Sequence, residues 1–223
     1  MNGAACLVTT LKQAGVTTLF SLSGNQIMPL FDACIDAGIR IVHVRHEAAA
    51  VYMADAWAQL TGDVGVALLT AGPGFANGLS PLYSARQAES PVLLLSGDAC
   101  VSQDGAGAFQ EMAETEISRP LVKHAKRVMR AEDLGGDLIE AMQIALSGRQ
   151  GPVHLALPFD VLNGGLADDK DGDEDISAAL KPQSMPLDPA IAGRIAAAIS
   201  EADRPLVLLG PQFNRSRAPE SAD

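Results

Sequence analysis

Apolar and polar positions along the first 160 or so residues come in blocks whose period switches between helix and strand. Ala4, Leu7, Val8 and Leu11 recur at helical spacing and the run stops at Gly15, as a helix with a glycine C-cap would. Val16 to Phe20 is short and β-branched, which predicts a strand. The polar turn Ser21-Leu22-Ser23-Gly24-Asn25 feeds a helix over 26–37, closed by Gly38, and residues 39–44 form the next strand. That strand delivers the chain to Arg45-His46-Glu47. From Glu47 the run to Leu60 is dense in alanine and free of Gly and Pro, a helix able to lie close against a sheet or a partner helix. Residues 64–70 read as a buried strand, 77–88 as a helix and 91–96 as a strand, with Thr70-Ala71-Gly72-Pro73-Gly74-Phe75-Ala76-Asn77-Gly78 between the first two.

The stretch 102–107 is polar and reads as a surface loop, and Phe109 to Met112 as the start of a short helix. A strand over 123–129 and a helix over 131–146 follow, the helix opened by Glu132 and Asp133 at the positive end of its dipole. Residues 153–157 form the last strand, ended by Pro158. Such alternation with short connections predicts a flavodoxin-like α/β fold, a parallel sheet with helices on both faces, over residues 1–163.

The pattern then breaks. Residues 168–175 hold six acidic residues and one lysine, which makes 164–187 an acidic linker. A calcium loop would require a glycine where Glu174 stands. Residues 189–202 predict a helix and 205–210 an apolar strand, so 188–223 reads as the truncated start of a second α/β domain. One helix and one strand bury no core of their own.

Composition narrows the function. A net charge of -11 over 223 residues disfavours a nucleic-acid backbone as partner, since that demands a basic face. It does not disfavour an anionic cofactor held by backbone amides or a metal. Cys6, Cys34 and Cys100 have no disulfide or CxxC pattern and read as reduced thiols of a cytoplasmic protein, and no apolar string reaches the roughly 20 residues of a membrane span.

Two features sit where a parallel sheet binds ligands, beyond the carboxyl ends of its strands. One is Glu47. A carboxylate in a first helical turn often only offsets the dipole, but Arg45 and His46 crowd this one with polar groups and small apolar residues follow, so it is placed to hold or share a proton. The other is the Gly72-Pro73-Gly74 loop, which permits close backbone approach to a ligand. It is neither a Rossmann fingerprint, because Asn77 stands where the third glycine belongs, nor a Walker A loop. His43 and His154 fall within apolar strands and read as core residues, and no histidine pair has zinc-ligand spacing.

In order and spacing, Phe20 to Gly24, Arg45-His46-Glu47, Thr70 to Gly78, Pro91 to Gly97, Ala108-Phe109-Gln110-Glu111, Lys123-His124 and Gly151 to Val161 resemble the amino-terminal pyrimidine-binding domain of thiamine-diphosphate enzymes of the acetolactate synthase group. That group includes 2-hydroxyacyl-CoA lyases and oxalyl-CoA decarboxylases. The resemblance implies a catalytic role for Glu47: hydrogen bonding to N1′ of the aminopyrimidine favours the imino tautomer, whose N4′ takes the thiazolium C2 proton. It further implies Gly24, Pro73 and Asn77 on the cofactor side, and Phe109, Gln110 and Lys123 on the side of a 2-keto acid or acyl-CoA substrate. It implies thiamine diphosphate with Mg²⁺ as cofactors and a homo-oligomer whose site lies at a dimer interface, with 48–58 as a contact helix. Three departures stand out. Ser23-Gly24-Asn25 replaces Pro-Gly-Gly, Ser96-Gly97-Asp98 replaces Thr-Gly-Gln, and the Gly-Asp-Gly…Asn module for metal and diphosphate is missing, so no metal ligand is assigned. Two rivals remain: a non-catalytic binding protein that keeps the fold, and an unrelated enzyme using His46 and Glu47 as an acid/base pair.

Overall fold

The structure, a computed structural model, describes residues 1–166, 176, 180 and 186–211. The acidic run 168–175 lies outside the described residues. The chain opens with α1 (Gly3–Gln13), whose N-cap Asn2 accepts the Ala5 amide. Then come β1 (Thr18–Ser21), a 3₁₀ turn Asn25–Ile27, α2 (Met28–Ala37), β2 (Arg40–His43), α3 (Glu47–Thr61) and β3 (Gly65–Leu69). They are followed by α4 (Pro73–Asn77), α5 (Leu79–Gln87), β4 (Val92–Asp98), α6 (Glu114–Ser118), β5 (His124–Arg127), α7 (Leu134–Leu146), β6 (Val153–Pro158) and α8 (Phe159–Asn163). The last described helix is α9 (Pro189–Glu201).

The six strands make one sheet in the order β2-β1-β3-β4-β6-β5, every pair parallel, the flavodoxin-like α/β arrangement that the sequence predicts. Side chains alternate between its faces. Val66, Leu68, Leu93 and Leu95 join Leu7, Leu11, Leu30 and Leu138 on the side of α1, α2 and α7. Ala67, Leu69, Val92 and Leu94 join Ala50, Val51, Ala54, Leu82 and Ala85 on the side of α3 and α5. The strand order reverses between β1 and β3, so the crevice where connections diverge opens beyond those two strands.

Several expectations are corrected. The helix expected from Asn77 begins at Pro73, which suits a first helical position, and divides at Gly78 into α4 and α5. Phe109 to Met112 is not helical: the Gly105, Gly107 and Ala108 amides all donate to the Glu111 carboxylate, and Gln110 takes a positive φ of 63°. The helix starts later, at Glu114. Residues 131–133 form a 3₁₀ turn, and Glu132 accepts from Arg130 there. His43 is exposed because β2 is an edge strand, whereas His154, on interior β6, is fully buried. Residues 205–210 form no strand; Leu206 and Leu208 are exposed, and no described strand offers them a ladder. No residue of α9 is buried.

The alanines of α3 do what their size allows. Ala50, Ala54 and Ala58 are fully buried, and a Cβ on Gly65 would lie 1.9 Å from the Ala54 carbonyl oxygen, so helix backbone and strand backbone touch with no side chain between them. Gly65→Ala is expected to lower stability by about 3 kcal/mol, the upper end for an overpacked core, because backbone cannot swing aside as a side chain can; chemical denaturation measures it.

Candidate functional site

Three connections converge beyond the carboxyl ends of β1, β2 and β3. Thr70, just past β3, is the meeting point: a Cβ on Gly24 would fall 2.3 Å from the Thr70 Cβ, and one on Gly74 would fall 2.5 Å from its methyl group. The Thr70 hydroxyl donates to Gln26 Oε1 at 2.8 Å, fastening the turn after β1 to the end of β3. Gly24 therefore serves by its lack of a side chain.

Glu47 opens α3, but the helix does not use its carboxylate as a cap. His46 fills that place, its Nδ1 accepting the Ala48 amide at 3.1 Å. The half-buried Glu47 carboxylate turns instead to the glycine loop, where Asn77 Nδ2 donates to Oε2 at 2.9 Å and a Cβ on Gly74 would stand 3.5 Å from Oε1. Pro73, exposed, begins α4 on the rim of this loop.

The structure brings Gln110 to the same place. Gly72 has φ 57° and ψ -112°, and a Cβ there would meet the Gln110 Cβ at 3.0 Å and its carbonyl oxygen at 3.1 Å. Phe109 beside it projects outward, 75% exposed. Lys123 does not join them. It precedes β5, at the amino edge of the sheet, and its ammonium group donates to the carbonyls of Ile144 and Ser147 at the end of α7. Within one chain it lies at the opposite edge from Glu47.

Beneath the loop lies a buried polar cluster that sequence reasoning missed. Glu114, 2% exposed, accepts the Gly72 amide on Oε1 at 2.8 Å, and its Oε2 is 2.5 Å from Ser96 Oγ. Ser96 Oγ is also 2.7 Å from His154 Nε2, and Ser118 Oγ lies 2.8 Å from His154 Nδ1. Phe75 stacks on the imidazole at 4.9 Å. Burial pushes the Glu114 carboxyl from 4.5 up to about 8, against the bonds from Ser96 and Gly72, and burial pushes His154 down to about 3. Both shifts favour the neutral form. Next to them burial also raises Asp98, although Arg127 bonds it at 2.5 Å and binds Asp104 at 2.7 Å. Nothing in the local sequence of Glu114 marks it, since an acidic residue opening a short helix is commonplace; the one legible hint was Ser96 and His154 on neighbouring apolar strands.

A cleft of about 520 Å³ opens beside this cluster, lined by Asp98, Asp104, Glu111, Glu114, Thr115 and Arg127. A cavity of about 320 Å³ at the amino edge, bordered by Gly15, Thr17, Trp57 and Asp63, is remote from it. Among the described residues no group of three His, Cys, Asp or Glu side chains is placed to hold a metal ion, and no helix is long and apolar enough to cross a membrane. Glu47 Oε1 faces Gly74 and Asn77 holds the other oxygen, so the carboxylate has the chemistry to meet a hydrogen-bonding ring nitrogen. Among the described residues no metal-ligand group stands beside it for a diphosphate–metal unit.

A carboxylate and a glycine loop at the reversal point of a parallel sheet define a ligand-binding α/β domain. The match to known proteins makes it specific: residues 1–117 fit the model of the family described as thiamine pyrophosphate enzyme, N-terminal TPP binding domain, and the chain belongs to that family. It is 46% identical over 161 residues to 2-hydroxyacyl-CoA lyase 2 of Bos taurus, covering 72% of this chain and 26% of that protein. It is 43% identical over 164 residues to acetolactate synthase isozyme 3 large subunit of Escherichia coli (strain K12), covering 73% of this chain and 29% of that protein. A probable acetolactate synthase of Mycobacterium bovis is 33% identical over 214 residues, 94% of this chain and 38% of the relative. The chain thus spans about a quarter to two-fifths of these relatives.

The raised Glu114 carboxyl has a thermodynamic sign. Between pH 4.5 and about 8 the folded chain keeps a proton that the unfolded chain releases, so its stabilisation is complete below 4.5 and is lost as the pH rises through about 8. Denaturation midpoints are expected to fall across that window in the wild type and to fall less in Glu114→Gln.

Proposed function

We propose that this chain supplies the pyrimidine half of a thiamine-diphosphate site in an enzyme that decarboxylates a 2-keto acid and joins the product to a second carbonyl compound. One observation carries the reading: the Glu47 carboxylate is released from helix capping by His46, held by Asn77 and set beside the side-chain-free wall of Gly74. When bound, the cofactor supplies a thiazolium carbon with a labile proton and an electron sink. The chain's own residues bind and orient. Glu47 exchanges a proton with the ring nitrogen of the pyrimidine, Asn77 fixes the carboxylate plane, Gly24 and Gly74 close on Thr70 and so set their two loops beside the ring, and Pro73 borders it. Gln110 and Phe109 stand toward the substrate; Lys123 would reach a substrate only in an assembly.

Mg²⁺ and the diphosphate would be held outside the described residues, in a protein of the relatives' full length. The domain bounds follow the same reading: residues 1–163 as the pyrimidine-binding domain, 164–187 as a linker and 188–223 as the start of a central domain, for which the exposed Ile191, Ile195 and Ile199 form an unpartnered stripe. The fully buried alanines of α3 face the sheet, and Tyr52, Met53 and Leu60 are left exposed, a surface suited to a second copy closing the half-open Glu47. The thiols of Cys6, Cys34 and Cys100, none of them in a disulfide, suit a reducing, cytoplasmic setting.

A second reading, cleavage of a 2-hydroxyacyl-CoA, is favoured by the 46% identity to the lyase. Ser96 and Asp98 do not decide between them, because the one is bound into the Glu114 cluster and the other to Arg127.

Titrating the chain with thiamine diphosphate and Mg²⁺ is expected to shift the amide resonances of Glu47 and Gly74 and the Asn77 side chain, with affinity weaker than micromolar, and Glu47→Gln is expected to abolish the shifts. Micromolar affinity would contradict the placing of the diphosphate anchor elsewhere; shifts that survive Glu47→Gln would contradict the role of Glu47. In a full-length enzyme carrying this chain, Glu47→Gln is expected to lower turnover by roughly 10²–10⁴-fold, the usual contribution of positioned proton transfer.

A further inference from the structure

Two proton arrangements satisfy the buried cluster. In one, Ser118 Oγ donates to the Thr115 carbonyl at 3.3 Å and accepts from His154 Nδ1–H, Nε2 takes the Ser96 hydroxyl proton, and Ser96 accepts from a protonated Glu114 Oε2. In the other, Ser118 donates to Nδ1, Nε2–H donates to Ser96, and Ser96 donates to a Glu114 carboxylate. Oε1 accepts the Gly72 amide in both, so the His154 tautomer reports the state of Glu114. The first arrangement, with Glu114 a neutral carboxylic acid, suits a side chain 2% exposed with no cation of its own.

We propose that Glu114, as a neutral acid, is the positioning residue for the cofactor-facing turn. It anchors Gly72 in its positive-φ conformation and, through the short helix α4, sets Asn77 against Glu47. The inference rests on the role proposed for Glu47, but its geometry is a property of the chain alone. Gly72 is the N-cap of α4 and Asn77 is that helix's last residue, five positions on, so displacement of the Gly72 amide carries Asn77 with it. Among the described residues, the groups facing Glu114 leave no cation free for an anionic form. Arg127 on β5 is engaged by Asp98 of β4, Asp104 and the Ala99 carbonyl, and His154 on β6 is neutral. Glu116 on α6 accepts from Thr115, Glu111 is held by three loop amides, and Glu47 lies across the turn. Loss of the Glu114 proton to solvent makes the Ser96 hydroxyl swing to the new carboxylate. His154 Nε2 loses its donor, and the ring proton moves from Nδ1 to Nε2.

Nitrogen NMR of the chain without cofactor tests this. The expected result is His154 protonated on Nδ1 at pH 7, moving to Nε2 with a midpoint near 8, and the Asn77 side-chain amide shifting in step. Glu114→Gln, whose amide oxygen and NH₂ reproduce the neutral acid's acceptor and donor, is expected to keep the pH 7 signals of the wild type and to abolish both transitions. Glu114→Ala should speed exchange of the Gly72 amide roughly tenfold or more, as loss of a buried acceptor implies. His154 protonated on Nε2 at pH 7, Asn77 signals displaced in Glu114→Gln at that pH, or an Asn77 transition that persists in this variant would each overturn the proposal. None of these readings uses thiamine diphosphate, so failure of the cofactor assignment shows in the ligand titration alone.

Discussion

The site depends on how closely two backbones approach one side chain. Thr70 stands at the end of β3 with Gly24 against its Cβ and Gly74 against its methyl group, and neither glycine could gain a single carbon without moving a loop. That contact fixes where the turn after β1 and the loop after β3 lie relative to each other. Glu47 enters the space between them from the start of α3, which backbone contact with Gly65 holds against the sheet. The position of one carboxylate is thus set by steric exclusion at the strand ends. Its hydrogen bond to Asn77 refines that position rather than creating it.

Much of this was legible in the residues. Alternation of period fixed the parallel sheet, and the alanine run from Ala48 announced a helix lying close to something, which proves to be β3. Glu47 and the glycine loop could be singled out because position at a strand's carboxyl end is a local property. The failures share a cause: they depend on partners far away in sequence. His43 looked like a core residue until the strand order put β2 at the edge. Phe109 to Met112 carries no signal that Glu111 would gather three amides and stop a helix. Glu114 became important only by meeting Ser96 and Gly72, which come from two other strand ends. The apolar run 205–210 had strand composition but no described neighbour to pair with.

The two edges of the sheet are unlike in chemistry. At the carboxyl edge, polar groups are buried and linked in a chain that ends at the Gly72 turn. At the amino edge Lys123 serves the carbonyls that close α7, a task of ordinary architecture. A motif that places Phe109, Gln110 and Lys123 together in a linear pattern therefore divides in space, with Gln110 against Gly72 and Lys123 across the sheet.

The contact of Gly65 with the Ala54 carbonyl has a mechanical consequence. A helix pinned at mid-length by main chain against main chain cannot slide along its axis, because no flexible side chain lies between to accommodate travel. Glu47, at the tip of that pinned rod, can move only by turning about its own side-chain bonds. Divergence of substrate preference among proteins built on this scaffold would then fall on the outward loops around Phe109, which bear no such restraint, while the Glu47 carboxylate stays at a fixed address.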